Sequence, residues 1–239
     1  MNPTRVPGGR LPPVRRLGEP GRPIRYTRAA DALPGEMVSM STYALVTKAG
    51  AADVTGAVRA GRVGGYVAPD LLGTIVLFDP PDRTSATTRR LLRPAAELVK
   101  RTGVPAWLLL GDEEMSEAVM ISAAGPHHLS WVAGWDPPAD PTEYLAHRQS
   151  WDAHCAEVAT AYGAPHRATE LSMVRNDPIP GEPPAPLGDL LRRVCAVFGL
   201  PDVAVGRSLL DSAEPGLFDA HRVDVAPPSG VWQRLFART

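Results

Sequence analysis

The sequence predicts an α+β fold: a mixed, mostly antiparallel sheet with helices packed on one face and a helical C-terminal extension. Three observations carry this expectation. Short β-rich apolar runs alternate with two helix-like stretches in the first half of the folded part. Three further runs then follow one another with only turn chemistry between them, and the last third reads as helix.

Residues 1–36 stand apart from the rest. They hold seven prolines, five glycines, seven arginines and three acids, so the segment carries +4 and leaves −5 for the remainder of a chain at −1. Val6, Leu11, Val14, Leu17 and Ile24 are isolated, with neither a period of 2 nor of 3.6 to gather them. Such a stretch cannot offset its ordering entropy, and it reads as a disordered Arg/Pro-rich arm. Met37 and Met40 lie just before the first strand-like run, so an inert extension is the simpler reading. Residues 37–239 are read as one domain, with a change of composition at 136–141 as a possible sub-boundary.

The first strand is read at Thr42–Thr47. A short helix follows over 51–60, with Gly61 as its C-cap. Val63–Val67 and Thr74–Phe78 read as strands, the second the more apolar and the more central. Asp79-Pro80-Pro81-Asp82 stops it, because proline cannot donate to the ladder. Thr84 or Ser85 caps a helix to about Arg101, with Leu91, Leu92, Ala95, Leu98 and Val99 as its apolar stripe and Pro94 marking a kink or a later start. Ala106–Leu110, Glu117–Ser122 and Leu129–Ala133 form a meander. Thr142–Tyr162 has the clearest helical pattern, with Tyr144, Trp151, Cys155, Val158 and Tyr162 on one side. Leu187–Phe198 is the second C-terminal helix, stopped by Gly199 and Pro201. A short helical piece near 205–212 and an amphipathic turn around Trp232 complete the reading.

Composition narrows the function classes. Apolar residues make up 44% and charged residues 21%, enough for a real core. No run approaches the roughly 18 apolar residues of a membrane span, and the basic N-terminus lacks an apolar h-region. Cytoplasmic residence is the expectation, with no membrane partner. Only Lys48 and Lys100 are lysines among 25 basic residues, a bias of GC-rich bacterial coding rather than of mechanism. Cys155 and Cys195 are too few for a disulfide scaffold and have no zinc spacing, so they are expected as two buried thiols, a bridge requiring their helices to pack together.

Motifs for chemistry are sparse. Gly61-Arg-Val-Gly64-Gly65 lacks the Lys-Ser/Thr of a P-loop and leads into a strand, so it is a tight turn. There is no Gly-x-Ser-x-Gly elbow and no His-Glu-x-x-His. Asp79 follows a buried strand, where open sheets often present reactive groups, and is the catalytic candidate among the carboxylates. His127 and His128 are adjacent, so on a strand they point to opposite faces and cannot share a metal. His147 and His154 are seven residues apart, about 10 Å along a helix, again too far for one ion. No metal and no cofactor is expected. Trp107 and Trp131, on strands taken as neighbours, would stack across the meander, while Trp135 lies in the loop beyond and is the candidate binding residue.

These features favour a non-enzymatic protein–protein interaction module, of an accessory, adaptor or immunity-like kind, whose partner is another protein. The alternatives are a hydrolase or transferase using Asp79 with His127 or His128 at the strand ends, and a component of a larger assembly contacting neighbours through the arm. Nucleic acid is not expected as a partner except through the basic residues 1–36.

Overall fold

The structure is a computed structural model that describes residues 41–78, 85–177, 185–206 and 221–223. The arm, Asp79, most of the short helix expected near 205–212 and the Trp232 turn lie outside the described residues.

Among the described residues seven strands form one sheet: β1 (Thr42–Thr47), β2 (Gly65–Asp70), β3 (Gly73–Phe78), β4 (Ala106–Gly111), β5 (Met115–Ser122), β6 (Gly125–Val132) and β7 (His221–Val223). Their order is β6-β5-β4-β1-β3-β2-β7. Every pairing is antiparallel, so the α+β class holds while the parallel component expected of a mixed sheet is absent from the described residues. Five α-helices among the described residues accompany it: α1 (Ala51–Gly61), α2 (Ser85–Thr102), α3 (Pro141–Ala161), α4 (Ala168–Ser172) and α5 (Leu187–Phe198).

The helices cover both faces, which corrects the one-face expectation. Along the central strands alternate residues enter two separate cores. Ala44, Val46, Trp107, Leu109, Ala118 and Met120 pack with α3, α4 and α5. Leu45, Leu108, Val119, Ile121 and Val76 pack with α1 and α2. The physical sign was in the strands themselves: Ala-Trp-Leu-Leu-Leu and Thr-Ile-Val-Leu-Phe are continuous apolar runs, and such runs are buried on two sides.

Connectivity explains the division. α1 carries the chain from β1 to β2 across β3, and α2 carries it from β3 to β4 across β1. The two crossovers start from antiparallel strands and run in opposite directions along the sheet. A shared hand then places both helices on the same face. The C-terminal helices have only the other face left to cover.

Local details follow from close packing. Gly61 is the last residue of α1 rather than its cap, and Arg62 takes the left-handed conformation at φ 55°. Glycine is required at 61 because a Cβ there would sit 2.7 Å from the Pro94 ring of α2. Pro94 in turn lies inside a helix that runs through it. β6 begins at Gly125, earlier than expected, and includes Pro126. Proline is tolerated there because β6 is the sheet edge and residue 126 directs its nitrogen outward. α3 starts where Asp140 accepts hydrogen bonds from the backbone N–H groups of Thr142 (2.7 Å) and Glu143 (3.1 Å), with Pro141 in the first turn. Those two bonds hold the Asp140 carboxyl below its ordinary pKa.

Trp107 and Trp131 do not stack on each other. In a meander the first and third strands are separated by the second, roughly 10 Å apart, and Trp107 is registered with Met120 of β5. Trp107 packs instead with Phe198 (5.1 Å between ring centroids) and Tyr162 (6.0 Å), and Trp131 packs edge-on with Trp151 (6.0 Å). Cys155 and Cys195 are free, buried thiols in the same core. Burial pushes both up to about 12.

Candidate functional site

A cleft of about 310 Å³ opens between the edge strand β6, one side of α3 and residues 175–177 beyond α4. That is the lower end of the range for small-ligand sites. β6 supplies Ser130, Trp131 and Val132, α3 supplies His147, Arg148 and Trp151, and the connection between them supplies Trp135.

The helix presents these groups because of their spacing. Tyr144, Arg148 and Trp151 follow at intervals of four and three, so they lie on the face of α3 that continues into the buried Cys155 and Val158. Trp135, the candidate binding residue, lies in this lining, and an arginine at position 148 of an otherwise apolar stripe is a second sequence signal of the cleft. That arginine does not figure among the expected site residues.

Two indoles anchor the far wall. Trp131 Nε1 donates to the Val174 carbonyl (3.1 Å), and Trp151 Nε1 donates to the Ser172 carbonyl (3.0 Å). Asn176 Nδ2 donates to the Val132 carbonyl of β6 (2.8 Å). Residues 172–176 are therefore held against both the helix and the sheet edge. Trp135 closes the outer side, its ring 5.2 Å from that of His147 and tilted by 31°.

Charge is concentrated on one carboxylate oxygen. Asp177 Oδ2 lies 3.4 Å from Arg148 Nη1, 3.3 Å from Arg175 Nη1 and 3.3 Å from the Tyr144 hydroxyl. All three contacts are long for charge-assisted bonds, which run about 2.7–2.9 Å. Arg148 Nε and Arg175 Nη1 are buried without a hydrogen-bond partner among the described residues. Two guanidinium groups thus share one carboxylate, and the cleft carries a surplus positive charge.

Of the histidines, only His147 lines the cleft. His127 and His128 point to opposite faces of β6, as adjacent strand residues must. His128 is exposed and makes a 2.8 Å contact with Glu117 across the β5–β6 pair. His154 Nε2 bonds the His128 carbonyl (2.8 Å), tying α3 to the strand edge, and His147 stacks on Trp135. No group of three or more His, Cys, Asp or Glu side chains is placed to hold a metal among the described residues. No helix among them is long and apolar enough to cross a membrane. Asp112, at the β4–β5 turn, accepts from the N–H groups of Glu114 and Met115 (both 2.9 Å), so its carboxylate serves the turn.

Arg175, Asn176 and Asp177 left no mark in the sequence, since they lie at the start of a proline-rich stretch without periodicity. Comparison with protein-family models, with curated proteins and with solved structures returned no match.

Proposed function

We propose that this chain is a non-enzymatic recognition module that binds another protein through the cleft at the β6 edge. The observation that carries the reading is the lining itself: three tryptophans and two arginines converge on one small opening beside an edge strand. Tryptophan and arginine are the residues most enriched among energetic anchors of protein interfaces, and an edge strand offers backbone groups to an incoming chain. Trp135 is only half-buried here, so its outer surface remains for a partner to cover.

The test uses the intact chain as bait in an extract of the native host, followed by binding measurements with the purified partner. Trp135→Ala is expected to weaken that binding at least tenfold, the loss of an interface anchor of about 2 kcal/mol, while the thermal unfolding midpoint stays close to that of the parent. Equal binding by the variant, or a hydrolase or transferase activity abolished by His127→Ala or His128→Ala, would overturn the reading.

A further inference from the structure

We infer that the cleft receives the C-terminal end of a partner polypeptide, with the free carboxylate at Arg148 and Arg175 and a large apolar last side chain among the tryptophans. This rests on the recognition reading above and gives its ligand a chemistry.

The backbone of β6 supplies the first argument. Ala133 donates its N–H to the Glu114 carbonyl, on the β5 side of the strand (2.8 Å). The carbonyls of His128 and Val132 accept from His154 and Asn176, on the outer side. Residues of one parity along a regular antiparallel strand turn their N–H and C=O the same way. Ser130 lies midway between His128 and Val132, so its N–H and C=O point out of the sheet at the cleft. Among the described residues nothing pairs with them. An open donor and acceptor on one residue match one peptide unit of an extended chain.

The flanks set the length of what can pair. His154 occupies the carbonyl on one side of Ser130, and Asn176 occupies the carbonyl on the other. A chain running past along β6 would have to displace both. A chain that ends there would not. The edge is therefore open for one residue of pairing, which favours a terminus over an internal segment.

Charge identifies which terminus. An ammonium group would meet two guanidinium groups and one shared carboxylate, whereas a carboxylate would meet the surplus cation. Each existing contact to Asp177 Oδ2 is long, so these arginines are not saturated by their internal partner. Their side chains keep 24% and 19% of their surface, and Asp177 keeps 23%, so the cluster is reachable yet partly screened from water. The walls of Trp131, Trp135 and Trp151 suit an apolar or aromatic last residue, and about 310 Å³ accommodates one large side chain with its carboxylate and one peptide unit.

The test titrates the full chain with N-acetylated pentapeptides that vary the last residue, each made as free acid and as C-terminal amide. Tryptophan fluorescence and the Ser130 amide resonance report binding. Peptides ending in a large apolar residue are expected to bind as acids at least tenfold tighter than as amides, the loss of a charge-assisted contact. Arg175→Gln should remove that preference. Asp177→Asn should act in the opposite sense, tightening the acid about threefold by deleting the competing carboxylate, whereas a purely structural role for Asp177 predicts weakening. Acid and amide binding equally, with both lost in Trp135→Ala, would overturn the carboxylate assignment and leave the recognition reading standing. Absence of any peptide response while the captured partner still depends on Trp135 would overturn the terminus and not the module. Loss of both would remove the two together.

Discussion

The two faces of the sheet are built from different materials. Beneath α1 and α2 the core is aliphatic: Leu45, Val54, Val58, Leu91, Leu98, Val99 and Leu108, with Phe78 as its one fully buried aromatic side chain among the described residues. Here two helices approach until the Gly61 backbone meets the Pro94 ring. Beneath α3, α4 and α5 the core holds Trp107, Trp131 and Phe198, with Trp151 and Tyr162 against it, and both thiols. Aliphatic chains carry no polar atoms, so that core needs no hydrogen-bond partners. Indoles bring an N–H that needs an acceptor when buried. Trp131 and Trp151 find theirs on residues 172–174, and in doing so they hold up the wall of the cleft. The lesson is a division of labour, in which the aromatic face uses its leftover polar atoms to position a binding site and the aliphatic face supplies packing alone.

The comparison can be broken most directly at Trp107. It is fully buried between Phe198, Tyr162 and β5, and its Nε1 has no partner among the described residues. Trp107→Ala is expected to cost about 3–5 kcal/mol of stability, read as a fall in the urea midpoint at unchanged slope. A cost near that of a surface substitution would mean that the aromatic face does not pack as described. By contrast Trp135→Ala, on the same face but at the cleft, should lose binding and little stability.

The thiols sharpen the comparison through pH. In the unfolded chain the Cys155 and Cys195 protons leave near 9.0, and in the folded protein they stay to about 12. Within that window the folded state binds more protons than the unfolded state, so stability falls as pH rises. The slope is at most about 1.4 kcal/mol per pH unit for each thiol. Tyr162, pushed up from 10.0 to about 12 by burial, adds to the loss in the upper part of the window. Urea midpoints across this range should show the decline, and the Cys155→Ala/Cys195→Ala double variant should flatten it. An equal slope in that variant would refute the assignment.

The smallest effect belongs to the aliphatic face. Arg62 holds a left-handed conformation that glycine adopts freely. Arg62→Gly is expected to stabilise by about 0.5–1 kcal/mol, the relieved backbone strain less the entropy glycine adds to the unfolded chain. Because the change lies on the face away from the cleft, peptide or partner affinity should be unaltered. A change in affinity would show that the two faces are coupled.

Much of the element order was legible in residue patterns. Leu187–Phe198 was bounded by its own stripe and by Gly199, which has φ 60° at the end of α5. The meander was legible from turn residues between apolar runs. Gly61 was misread as a cap because its role depends on Pro94, 33 positions away. The cleft was legible only in part. Trp135 was singled out as an aromatic in a loop, and His147 was weighed only as a metal ligand, so their contact with each other had no local sign.

Local physics by itself determined most of the strand and helix segments, since period, caps and proline act within a few residues, while α4 and β7 are too short to carry such a pattern. It also determined that both sides of β3 and β4 need cover, because those strands have no polar face. Tertiary structure decided which helix covers which side, through the hand and direction of the two crossovers. It alone decided that Arg148 and Tyr144 meet Asp177, 29 and 33 positions away. Contacts at such separations are fixed by the closure of the whole chain, and no spacing rule along the sequence encodes them.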